Sequence, residues 1–209
     1  MESSGNAGIP LLGTAYFPPI EYFHVLACFP AVAVDACESY QKQSWRNRCT
    51  IYSAGGVQAL QIPVCHDNIR SGSVRDIRID YSREWLHQHR IAIISAYRSS
   101  PFFEYYWDGI DAILQSRPEK LFDLNTALTR HIAAEMELRC EILTTDSFVK
   151  DAGQLDFRSR IHPKSKENPV FEPKPYYQIF SGKSGFISNL SILDLLFHEG
   201  PQAADFLKA

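Results

Sequence analysis

The stretch 38-ESYQKQSWRNRCTIYSAGGVQALQIPV-64 decides how this chain is read. Arg48 to Tyr52 and Val57 to Val64 are two runs rich in strand-forming residues, with Ser53-Ala54-Gly55-Gly56 between them. Small residues and glycines permit a tight reversal, so the runs predict a β-hairpin. Just before it, Lys42, Arg46 and Arg48 surround Trp45, in a chain of formal net charge -3. Two readings of that block stay open. It solvates the entrance to a strand with Trp45 in the core, or it grips something anionic and flat.

Upstream, Ile9-Pro10-Leu11-Leu12-Gly13 reads as a first strand that Pro10 keeps peripheral. Pro18-Pro19 suits a helix start, and Ile20, Phe23, His24 and Ala27 recur at helical spacing, which predicts a helix over 19–28. Residues 31–35 read as a buried strand with Asp35 at its carboxyl end. Downstream, VRDIRID at 74–80 alternates like a half-exposed strand. Leu86, Arg90, Ile93 and Tyr97 share one face of a helix from Arg83 to Tyr97, ended by Pro101. Tyr106, Ile110, Ile113 and Leu114 mark a second helix. Leu124, Leu128, Ile132, Glu135 and Leu138 mark a third, and Cys140 to Thr144 a strand. Leu190 to Glu199 reads as a last helix, capped by Asn189 and stopped by Gly200-Pro201.

Together these predict an α/β fold: a single domain with a mixed β-sheet, an N-terminal β-hairpin and a helical middle. A segregated α+β layout is the alternative. Residues 1–8 are expected to be disordered and 9–209 to form the domain. Residues 151–175, charged and holding Pro163, Pro169, Pro173 and Pro175, read as a mobile loop or lid.

Composition narrows the function classes. The chain has 209 residues, 45% hydrophobic and 22% charged, as in ordinary globular proteins. A net charge of -3 gives no global attraction to nucleic acid, so any anion site is local. No apolar run approaches the roughly 20 residues that span a bilayer. MESSGNAG lacks the basic start of a secretory signal, which points to the cytoplasm. Five scattered cysteines without a C-x-x-C pair read as reduced thiols, with no metal site expected. No phosphate-binding glycine loop and no serine-nucleophile elbow is present, and no cofactor is indicated.

The candidate chemistry therefore rests on few side chains. If 42–48 is extended, Lys42, Arg46 and Arg48 line one edge, with Trp45 on the other. Guanidinium groups grip phosphate or carboxylate bidentately, and an indole stacks on a base or sugar. His87 and His89, two apart, fall on different helix faces and make no metal clamp, which needs i, i+4. His89 is a candidate general base or anion donor, or else a satisfied boundary histidine. The aromatic run Phe102 to Trp107 reads as a helix start packed on the core, or as the lining of a sugar site.

The ordered segments 16-YFPPIEYF-23, 40-YQKQSWRNR-48, 60-LQIPV-64, 95-SAYRSSPFF-103 and 189-NLSILDLLF-197 resemble the WbqC-like family of bacterial proteins. The block from Lys42 to Arg48 is the most specific. The chain departs from the family pattern at Gly13-Thr14-Ala15, where many relatives carry a His-Gln-Pro type stretch, and at Asp156 to Lys164. The family is associated with surface-polysaccharide (O-antigen) gene clusters. The resemblance implies acyl or aminoacyl transfer to a nucleotide-linked amino sugar, or a non-catalytic module that binds a nucleotide sugar or a protein. Its ligand would be a small anionic molecule. It adds Asn47 and Tyr97, which lie in the matching blocks, to Lys42, Trp45, Arg46 and Arg48 as candidate substrate contacts, with His89 as the catalytic base.

Overall fold

The computed structural model describes residues 8–65, 72–165, 167 and 169–208. Most of the expected disordered N-terminus, residues 1–7, lies outside them. Val32 and Val34 alternate with partly covered residues along β2 (Ala31–Asp35), which is the middle strand of a parallel sheet. Its neighbours are β1 (Leu11–Gly13) and β5 (Glu141–Thr144). Parallel strands need crossovers. Helix α1 (Ile20–Cys28) links β1 to β2, and everything from 36 to 140 is inserted between β2 and β5. Pro10 precedes the edge strand, where its missing N–H costs no ladder bond; its carbonyl still accepts from Ala33.

The predicted hairpin is present as β3 (Arg48–Ser53) and β4 (Gly56–Gln61), with Arg48 opposite Gln61. Gly56 has φ 102, a backbone that favours glycine and closes the turn. The fold thus combines parallel and antiparallel pairing, shared between two sheets, with a helical middle of α2 (Trp85–Tyr97), α3 (Phe103–Gln115) and α4 (Leu121–Glu135). Leu121, Leu124, Leu128 and Ile132 bury one stripe of α4. Such spacing puts them on one face, and α3 packs against α4. Tyr97 ties α2 to the hairpin, its hydroxyl accepting from the Tyr52 N–H at 3.1 Å. One hydrophobic cluster runs from Leu12 to Leu207.

Two local expectations are corrected. Residues 74–80 form no strand: Val74–Asp76 is a 3-10 turn, and Arg78 and Ile79 make only single bridges, to Lys120 and Val64. Val74, Ile77 and Ile79 are buried, so the apolar pattern reports burial rather than pleating. The last helix, α6 (Ile192–Glu199), follows the short α5 (Ser181–Ser184), which local pattern did not announce. Ser191 caps α6 by accepting from the Leu193 N–H; Asn189 instead accepts from the Glu21 N–H at 3.0 Å and serves the first turn of α1. Beyond α6 the chain coils on as a 3-10 stretch, Gly200–Leu207. Gly200 itself is fixed by space, since a Cβ there would meet the Phe102 ring at 2.4 Å.

Among its described residues, the 151–175 segment has no regular element beyond Gly153–Leu155. Phe157 and Ile161 bury their side chains in the core, and the Phe157 N–H bonds the Leu11 carbonyl at the edge of the sheet.

Candidate anion-binding cleft

Residues 42–47 do not run extended. Gln43 takes φ 56, in the left-handed region, and the buried Ser44 hydroxyl donates to the Gln41 carbonyl at 2.6 Å. The chain turns, and the basic block is split between two sides. Lys42, Asn47 and Arg48 face a cleft of about 380 Å³. Gln43, Gln61, Asp80 and Arg83 add to its polar lining, and Tyr40, Pro63 and Val64 supply apolar wall. Arg48 Nη2 donates to Gln61 Oε1 at 2.8 Å, across the first hairpin pair. Its Nε has no partner among the described residues. Asn47 is 2% exposed; it donates to the Ile62 carbonyl at 2.7 Å, while its Oδ1 has no partner among the described residues. Buried polar atoms are nearly always partnered, so these two orphans in adjacent cleft residues leave bonding that a ligand or water can complete once the lining shifts, since both atoms are closed to solvent as they stand. At the rim, Lys164 from the irregular segment donates to Gln43.

Arg46 does not join the cleft. It is 3% exposed and forked onto Glu38, with Nε to Oε1 at 2.9 Å and Nη2 on Oε2. Trp45 lies on that same far side, half-buried, beside a small cavity at the carboxyl end of β1 that Gly13, Thr14, Phe157 and Arg158 also line. A second set of charges seals this end of the sheet. Asp35, fully buried, accepts from the Cys37 and Glu38 N–H groups and from the Thr145 hydroxyl, and pairs with Arg158 at 2.6 Å. Arg158 also pairs with Asp156, whose carboxyl it holds below the usual carboxylate range. Burial pushes the Glu38 carboxyl up, and Arg46 pulls it back only in part.

The structure does not bring His89 or Tyr97 to the cleft. His89 is 5% exposed, its Nδ1 3.0 Å from the Tyr16 hydroxyl. Burial pushes its pKa down to about 4, against a smaller upward pull from a hydrogen bond with the Gln61 backbone. It stands behind the cleft wall, neutral and holding β4 in place. Tyr97 is fully buried, and that burial raises its hydroxyl pKa well above the ordinary value. Of the seven residues expected from the sequence, the cleft gathers Lys42, Asn47 and Arg48. Gln61 was findable as the cross-strand partner of Arg48, whereas nothing local pointed to Arg83, 35 positions downstream.

The His89 environment makes a testable claim. A histidine of ordinary pKa 6.5 that falls to about 4 on folding favours the neutral form. The stability it protects is whole above pH 6.5 and is lost as pH falls towards 4, by about 3 kcal/mol. His89→Gln should be less stable than the parent at pH 7, and the gap should close by about that amount at pH 4, read from urea midpoints. A gap constant with pH contradicts this placement.

The sequence model of the WbqC-like protein family matches residues 14–174, most of the chain. The uncharacterized protein Rv1507c of Mycobacterium tuberculosis is 22% identical over 228 residues, covering 96% of this chain and 97% of that protein. No solved structure matches. Among the described residues, no helix is long and apolar enough to cross a membrane.

Proposed function

Because this chain belongs to the WbqC-like protein family, we propose that it acts in surface-polysaccharide (O-antigen) biosynthesis, binding a nucleotide-linked amino sugar and serving as an acyl or aminoacyl transferase to it. The observation that carries the binding part is the cleft: Lys42, Arg48 and Arg83 converge there, beside the unpaired Asn47 Oδ1 and the Tyr40, Pro63 and Val64 wall. Among the described lining residues, three cations stand against the single carboxylate of Asp80, a positive balance in a chain of net charge -3. Such a site suits a diphosphate, which a guanidinium grips with paired bonds. The apolar wall suits the flat face of a base or sugar.

A second reading, a non-catalytic module that binds a nucleotide sugar, is favoured by His89. Buried behind β4 and neutral at physiological pH, it is out of reach of a bound amine. Both readings require the same ligand. A thermal-shift series with nucleoside-diphosphate sugars, free sugars and inorganic phosphate tests it. A ligand at 100 times its Kd should stabilise the protein by about 2.7 kcal/mol. The sugar nucleotides should do so and free sugars should not. Stabilisation by none of the sugar nucleotides sinks both readings.

A further inference from the structure

Beside the cleft lies a second hollow of about 360 Å³, walled by Gln61, Pro63, Arg83, Glu84, Trp85 and Gln88. The first three also line the cleft, so the two hollows meet along Arg83 and the end of β4. Their chemistry differs. The cleft adds Lys42 and Arg48 to Arg83; among the described residues, the second hollow adds no further cation, but a carboxylate, an amide and an indole. Trp85 is 3% exposed and its Nε1 has no partner among the described residues. A buried donor left unpaired is costly, so this one too asks for an acceptor. Tyr81 and His89 hold the indole from other sides, with ring centroids at 5.6 and 5.1 Å.

Resting on the nucleotide-sugar reading above, we infer that the second hollow is a glycosyl subsite. It takes the hydroxyl- and amine-bearing ring of the ligand, while the cleft takes the diphosphate. Amide and carboxylate side chains pair with sugar hydroxyls as donors and acceptors. The indole supplies apolar wall, and its N–H, closed to solvent as it stands, meets an acceptor only if the lining shifts. Glu84 repels further phosphate and attracts the ammonium of an amino sugar. Arg83 stands at the divide with its side chain three-quarters exposed, 3.9 Å from Asp80, and can turn towards a phosphate that joins the two parts.

Glu84 and Gln88 are exposed, and Glu84 makes no side-chain cap to α2, so Glu84→Gln and Gln88→Ala keep the fold. The full chain is titrated calorimetrically with a nucleoside diphosphate and with the matching nucleoside-diphosphate hexosamine. The sugar nucleotide should bind about tenfold tighter, and each variant should remove most of that advantage while leaving diphosphate affinity within about twofold. Arg48→Ala should weaken both ligands alike. A hexosamine that adds no affinity, or an advantage that survives both substitutions, overturns the glycosyl subsite and leaves the cleft standing. Failure of both ligands to bind the parent removes the cleft reading, and the subsite with it.

Discussion

Arg46→Ala should lower the unfolding free energy by about 3–5 kcal/mol, because it strands a buried carboxylate. Glu38 and Arg46 are both nearly inaccessible and joined by two hydrogen bonds, and Arg46 also reaches Gln41 Oε1 at 3.4 Å. The loss should depend on pH in a definite direction. Glu38 already has a raised pKa through burial, and without Arg46 it rises further. A carboxyl with a raised folded pKa destabilises increasingly as pH climbs through it. The variant should therefore suffer less at pH 5 than at pH 8, where Glu38 must stay charged or take a proton at a cost. Glu38→Gln combined with Arg46→Met should recover part of the loss, since it removes both charges and keeps much of the volume. Urea unfolding at the two pH values measures all of this. A loss below about 1 kcal/mol at pH 8 would show that Arg46 is not the structural ion pair described.

Arg48→Ala should behave in the opposite way, with stability changed by less than about 1 kcal/mol and ligand affinity reduced about 100-fold. Arg48 is partly exposed, and its direct side-chain bond is to Gln61, which also faces the cleft and can turn to water. Bonds from a charged donor to a phosphate contribute roughly 1.5–3 kcal/mol each, so losing the fork costs far more binding than folding. Arg48→Lys keeps the charge and loses the paired geometry, and should fall between parent and alanine. Added salt should weaken binding to the parent more than to Arg48→Ala, since one screened charge has gone. Equal affinities for parent and variant would place the anion elsewhere. The two arginines sit two positions apart, yet one should govern folding and the other binding.

That contrast shows where sequence reading stops. The hairpin was legible because glycines and strand formers announce it, and its register makes Gln61 the partner of Arg48. The helices were legible from spaced apolar residues such as Leu121, Leu124, Leu128 and Ile132. The turn at 42–47 was not, because the residue that takes the left-handed backbone is Gln43, whose type does not signal it. An extended reading of 42–48 therefore put Arg46 beside Arg48, where the structure separates them. The Asp35–Arg158 pair spans 123 positions, and the Tyr16–His89 pair 73. Local pattern carries no information on such meetings. His89 reads from the sequence as a candidate base or a satisfied boundary histidine, and it is Tyr16, 73 positions upstream, that meets its ring.

The most direct test of the cleft is a crystal structure of the full chain grown with a nucleoside-diphosphate sugar. A diphosphate is expected within about 4 Å of the Arg48 guanidinium, an ion-pairing distance, with Lys42 and Arg83 on its other oxygens and the Arg46–Glu38 pair undisturbed. A diphosphate found instead at the carboxyl end of the parallel sheet, with Arg46 or Arg158 drawn off its carboxylate to meet it, would move the binding site away from the cleft.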